Sequence, residues 1–113
     1  MGALTERAGL EYLHSQGCRL VARNVRYRVG EIDLVVRDGD TLVFVEVRGR
    51  GVTSLESADR ALPPEKRRKL WRAIELYLLA QSAPDRTSYR TIRVDFLATD
   101  GTQWFWFKNV ELR

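Results

Sequence analysis

Residues 30–50 read GEIDLVVRDGDTLVFVEVRGR. The run holds two apolar, β-branched segments of strand type around Asp38-Gly39-Asp40, a turn signal. Three carboxylates, Glu31, Asp33 and Glu46, stand where such strands usually carry Val or Ile. Crowding like charges onto a half-buried sheet costs free energy. A metal site that cuts a phosphodiester explains that cost best.

Side chains alternate faces along a strand. Alternation predicts Glu31, Asp33 and Val35 on one face of the first strand, and Ile32, Leu34 and Val36 on the other. In the second strand Leu42, Phe44, Glu46 and Arg48 share a face, opposite Val43, Val45 and Val47. A Gly39-Asp40 loop suits a type II′ turn and sets Asp33 opposite Glu46. An Asp38-Gly39 loop sets Asp33 opposite Phe44, with Glu46 diagonal to it. Both registers gather Asp33, Glu46 and Arg48 on one face, whereas a three-residue loop with a bulge breaks the parity. Opposed Cβ atoms lie about 5 Å apart, so two carboxylates there repel unless a cation intervenes. A hard divalent ion such as Mg²⁺ resolves the conflict and leaves waters for chemistry. The plainer reading is a solvated sheet face with Arg48 as an ion-pair partner, and the spacing alone weighs the two evenly.

A chain of 113 residues supports one domain, 1–113, with a single core. At 44% apolar and 10% aromatic content it folds without staples. Nineteen Lys and Arg against 15 acids give a net charge of +4, compatible with a polyanion but insufficient to assign one. The lone Cys18 excludes a disulfide framework and a Cys-based zinc cluster, and suits a reducing cytoplasm. No apolar run approaches the roughly 20 residues that span a bilayer, and no signal-peptide pattern precedes the first element. A His-based zinc site or a Ser-His-Asp triad would hang on His14 alone.

Periodicity predicts a helix over 3–16, with Leu4, Ala8 and Tyr12 at one-turn spacing and Gly17 as its stop. Glu6 reads first as an acid in the helix dipole's favour; it also stands where a helix could aim it at the carboxylates. Residues 18–28 read as a strand with a bend at Asn24 and a basic exit at Arg23, Arg26 and Arg28. The segment 51–62 reads as a loop with at most one helical turn. A helix opening at Pro63-Pro64 runs to about Ser82 on a stripe of Leu70, Ala73, Ile74, Tyr77 and Leu78, with Lys66 on that inward stripe. Lys66 to Arg72 is the densest positive run; such a run is usually a solvated helix face, and near a metal it becomes a phosphate-binding edge. A turn over 83–88 leads to strands over 89–99 and 103–112. The helix between strands predicts a crossover that sets the fourth strand parallel to the third. Trp104 to Phe107 read as core on one side and a cover or dimer contact on the other.

The order α-β-β-β-α-β-β, with Glu6, Gly30-Glu31-Ile32-Asp33-Leu34, Phe44-Val45-Glu46-Val47-Arg48, Arg50 and Lys66, resembles the YraN-like family of small bacterial proteins. Arg23-Asn24, Arg93, Asp95 and Asn109 extend the match over nearly the whole chain. That family is similar to archaeal Holliday junction resolvases and to the restriction-endonuclease-like superfamily with its PD-(D/E)xK motif. The resemblance implies an α/β restriction-endonuclease-like core, a mixed four- to five-stranded sheet with flanking helices. It implies Asp33 and Glu46 as ligands of Mg²⁺ or Mn²⁺, with the Val47 backbone carbonyl, and Glu6 as a helix-borne acid reaching the metal directly or through water. Arg48 occupies the motif lysine's position. Arginine stabilises developing charge but cannot shed a proton as a base; Lys66 is placed to supply the amine. Glu31, Arg50 and Lys66 would support the ion or the phosphate, and Arg23, Arg26, Arg28, Arg67, Lys69 and Arg72 would contact the nucleic-acid backbone. Resolvase-like proteins act as dimers, so a homodimer is expected as well.

Three readings follow. The first is a metal-dependent endonuclease on DNA, with branched or otherwise structured DNA as the substrate form. The second, favoured by Arg48, is a nucleic-acid-binding module on a nuclease fold without turnover. The third is an interaction protein that docks a partner through its aromatic last strand.

Overall fold

The computed structural model describes residues 2–49, 60–81 and 89–112. Its elements run α1 (Gly2–Ser15), β1 (Arg19–Tyr27), β2 (Gly30–Asp38), β3 (Thr41–Arg48), α2 (Pro64–Ala80), β4 (Thr91–Thr99) and β5 (Trp104–Phe107). The expected order holds. Of the loop expected over 51–62 only Arg60–Leu62 is described, with Arg60 and Ala61 helical, and the turn expected over 83–88 lies outside the described residues.

The strands form one mixed sheet in sequence order. Neighbours are antiparallel except β3 and β4, which the α2 crossover makes parallel, as expected. Asp38 pairs with Thr41 and Leu34 with Val45, so the hairpin loop is Gly39-Asp40. Gly39 takes φ +63°, the sign a type II′ turn needs at its first position. Helix α1 stops at Gly17 (φ +95°): the Gly17 N–H donates to His14 O and the Cys18 N–H to Leu13 O, both at 3.0 Å. That double closure satisfies carbonyls the helix end leaves open.

The sheet separates two apolar layers. On one face Leu42, Phe44, Val94, Phe96 and Ala98 pack against Leu70, Ala73, Ile74 and Tyr77 of α2. On the other, Val43, Val45, Val47 and Leu97 pack against Leu13 and Tyr12 of α1. Both helices therefore flank the sheet, one on each side. Gly9 lets α1 approach closely: a Cβ there would lie 3.2 Å from Leu97.

Strict alternation fails in β2. Ile32 and Val35 both join the α2 layer, while Leu34 and Val36 join the α1 layer. The phase of the strand changes at Asp33. β1 changes phase with it, since Ala22 and Val25, three apart, both pack on the α2 side. The partner ladder skips Asn24, whose φ is +51°. Asn tolerates that left-handed conformation because its short amide bonds locally. The bend expected at Asn24 is thus real, and it carries Asp33 out of the face that a regular strand would give it.

The last strand is shorter than 103–112. Asn109 turns left-handed (φ +59°), and its N–H donates to the Asp95 carboxylate at 3.0 Å instead of extending the ladder.

Candidate functional site

Asp33 and Glu46 are each only 8% exposed. The backbone ladder between β2 and β3 ends at Leu34–Val45. Just beyond that end, the Val47 N–H donates to Asp33 Oδ2 at 2.8 Å. Glu46 lies within hydrogen-bonding reach of the Asp33 side chain. Burial, and then the bond and charge of Asp33, push the Glu46 carboxyl up to about 9, against the pull of Arg48. The two acids meet as expected. They do so through the phase change at Asp33 and not through plain alternation.

Arg48 Nη2 lies 3.3 Å from Glu46 Oε2, and its Nη1 donates to the Val47 carbonyl at 3.3 Å. A strand residue directs its N–H and C=O to the same side, so that carbonyl faces β2 as the N–H does. Two buried carboxylates and a main-chain carbonyl form an all-oxygen donor set. Mg²⁺ and Mn²⁺ suit it, because such ions take one or two carboxylates and keep waters for the rest.

Glu6 does not close the set. Among the described residues no three His, Cys, Asp or Glu side chains converge on a metal position. The half-buried Glu6 carboxyl is raised by burial, then by the charges of Asp33 and Glu31, and lowered by Arg23 and Arg26. It stands in electrostatic range of Asp33, on the α1 side.

Glu46 and Arg48 line a hollow of about 270 Å³ whose other wall is Lys66, Lys69 and Leu70 of α2. Gly30 and Glu31 complete it. The wall is close because position 30 has no side chain: a Cβ there would overlap the Lys69 carbonyl. Lys66 is exposed, not inward as its stripe suggested, yet it does face the carboxylate hollow.

The expected phosphate contacts divide into two groups. Arg26 pairs with Glu31 at 3.7 Å, Lys69 with Glu65 at 3.7 Å, and Arg67 donates to Leu62 O at 2.6 Å. Arg23, Arg28, Lys66 and Arg72 form no ion pair among the described residues. Arg28 and Arg72 meet in a second hollow of about 370 Å³ with Arg68 and Lys69. Arg50 lies outside the described residues.

A separate polar cluster was not legible as one. Asp95 is fully buried and accepts from Arg93 Nε (2.8 Å) and Nη2 (2.9 Å), Trp106 Nε1 (2.8 Å) and the Asn109 N–H (3.0 Å). Arg93 Nη2 also reaches Asp38 at 3.0 Å. The cluster ties the end of β2 to the C-terminal segment. Tyr12 stacks on Trp104 with centroids 5.7 Å apart and meets Trp106 edge-on at 6.2 Å. The tryptophans of β5 therefore cover α1, the core role expected for one side of that strand.

Known proteins give the following likenesses. A family model described as "Uncharacterised protein family UPF0102" matches residues 5–99. A UPF0102 protein of Herminiimonas arsenicoxydans is 41% identical over 109 residues, covering 96% of this chain and 84% of its own. UPF0102 protein YraN of Salmonella arizonae is 40% identical over 110 residues, covering 96% and 81%. A UPF0102 protein of Vibrio cholerae is 38% identical over 104 residues, covering 92% and 85%.

Proposed function

Because this chain belongs to the uncharacterised protein family UPF0102, whose description assigns no activity, we propose a function from the site itself: metal-dependent hydrolysis of DNA phosphodiester bonds. The observation that carries it is the buried Asp33–Glu46 pair, whose Glu46 lines a hollow together with Arg48 and Lys66. A structural pair of carboxylates would need neither the hollow nor the cations around it.

Asp33, Glu46 and the Val47 carbonyl would hold Mg²⁺ or Mn²⁺, with Glu6 joining through water. The ion would lower the pKa of the attacking water and stabilise charge on the phosphate. The chain's own groups do the rest. Asp33 is held in place by the Val47 N–H, which fixes one ligand before any ion arrives. Arg48 bonds Glu46 at 3.3 Å and is placed to swing onto a phosphate oxygen once an ion takes over that contact. Lys66, which forms no ion pair among the described residues, is placed to hold a non-bridging oxygen or protonate the leaving group. The restriction-endonuclease-like core belongs to the same proposal. No described helix is long and apolar enough to cross a membrane.

The experiment is a cleavage panel of linear, single-stranded and four-way-junction DNA with Mn²⁺, run beside the Asp33→Asn variant. Cutting by the parent and none by the variant supports the reading; equal cutting by both overturns it.

Arg48 favours a second reading, a nucleic-acid-binding module without turnover. Its guanidinium bonds the Glu46 carboxylate and the Val47 carbonyl, two of the groups an ion would need. DNA binding with no cleavage on any form in the panel would support it. Docking through β5 has less behind it, because Trp104 and Trp106 are engaged with Tyr12 and Asp95.

A further inference from the structure

A groove of about 470 Å³ runs along the flank of α2 away from the carboxylates. Trp71, Pro64 and Leu112 line it together with Arg67, Arg68, Arg72 and Glu75. Trp71 packs partly on the α2-side core, leaving the indole half-buried. Arg68 and Arg72 are exposed and form no ion pair among the described residues. A basic helix face is usually only solvated. Here a second relationship decides otherwise. The same two arginines line the hollow that holds Arg28 and Lys69, and Lys69 in turn lines the carboxylate hollow. Shared cations thus join the three depressions into one path across the outer face of α2.

We infer that the Trp71 groove is a nucleobase site for single-stranded nucleic acid. An unpaired base stacks on the indole, Arg68 and Arg72 take the flanking phosphates, and the strand passes Arg28 and Lys69 toward Glu46 and Arg48. Every base offers a π-face, so the site is tolerant of sequence. A closed duplex hides its base faces and can use only the cations. The site therefore selects DNA with an unpaired segment, a property that rests on the phosphodiesterase reading for its purpose but not for its test.

The test is anisotropy of a labelled oligothymidylate and of a duplex of equal length, in EDTA, so that no cleavage intervenes. Trp71→Ala should weaken single-strand binding ~5- to 150-fold, the range of one base–aromatic stack, and leave the duplex unchanged. Trp71→Phe should keep most of the affinity. Should Trp71→Ala melt early, Trp71→Leu retains apolar bulk without the ring and reads the same quantity. Arg68→Ala with Arg72→Ala should weaken both ligands and flatten the salt dependence. Trp71→Leu binding the single strand like the parent, losing both ligands alike, or no single-strand binding by the parent would each overturn the inference. Trp71-dependent binding together with cleavage insensitive to Asp33→Asn would overturn the phosphodiesterase reading alone.

Discussion

The Asp33 carboxylate stands in for a main-chain carbonyl opposite Val47, taking its N–H at 2.8 Å just where the β2–β3 ladder has ended. A carboxylate fixed in this way is also part of the sheet. Substitutions at Asp33 therefore report on fold and chemistry together, and the two have to be separated.

Asn separates them. Its side-chain oxygen can still accept the Val47 N–H, and it removes a charge that repels Glu46. Asp33→Asn should keep stability within about 1 kcal/mol of the parent, or raise it, while losing Mn²⁺-dependent cleavage. Asp33→Ala leaves a buried N–H without a partner and should lose roughly 1–3 kcal/mol. Urea melts beside cleavage assays check both, and an Asn variant that unfolds like the Ala variant would refute the separation.

The Glu46 carboxyl gives a pH dependence with a definite sign. Its ordinary value is 4.5, and in the ion-free fold it is pushed up to about 9. Between those values the folded state binds more protons than the unfolded one. Ion-free stability therefore falls as pH rises from about 4.5 to about 9, by at most ~1.4 kcal/mol per pH unit. Glu46→Gln should flatten that slope. Ion binding needs the carboxylate, so Mn²⁺ affinity should rise with pH over the same window and binding should release a proton. Calorimetry in buffers of different ionisation enthalpy reads the proton directly.

Much of this was legible in the residues. The Gly39-Asp40 turn, the parallel β3–β4 pair and the meeting of Asp33 with Glu46 follow from turn chemistry, crossover length and the hairpin register. The phase change at Asp33 was not legible, because alternation counts residues and cannot register a left-handed Asn24 on the neighbouring strand. Trp71 was hidden for a related reason. Periodicity says which side of α2 is apolar, but not that Leu112 returns from the far end of the chain to help line a groove beside it. Asp95 reads as a charge in a strand until Trp106 and Asn109 are seen to bond to it.

Gly30 sets the depth of the carboxylate hollow, since any side chain there would overlap the Lys69 carbonyl. Gly30→Ala must push α2 away from the hairpin, at roughly 1–3 kcal/mol, the usual range for overpacking. Lys66 and Lys69 move with the helix, so cleavage should fall further than the loss of folded protein explains. A variant as stable and as active as the parent would show that the helix yields freely.

The Asp95 cluster makes a prediction free of chemistry. Arg93→Ala removes a two-pronged cation from a fully buried carboxylate and should cost about 3–5 kcal/mol. Arg93→Lys should recover only part of that, because an ammonium cannot reproduce the fork. Trp106→Phe removes one of four donors and should cost roughly 1–3 kcal/mol. Thermal melts give the ranking, and parity between the Ala and Phe variants would contradict it.

The division of the cations by partner predicts the salt dependence of DNA binding. Each phosphate contact by a free cation contributes about 0.9 to the slope of log affinity against log salt on duplex DNA. Arg28 has no ion-pair partner among the described residues and sits beside Arg68 and Arg72, so Arg28→Ala should lower the slope by roughly that amount. Arg26 already faces Glu31 at 3.7 Å and lies off the path across α2, so Arg26→Ala should leave the slope nearly intact. Both residues are exposed arginines at the exit of β1, and neither substitution should disturb the core. Equal effects from the two would mean that net charge, and not the path joining the three hollows, sets the salt dependence.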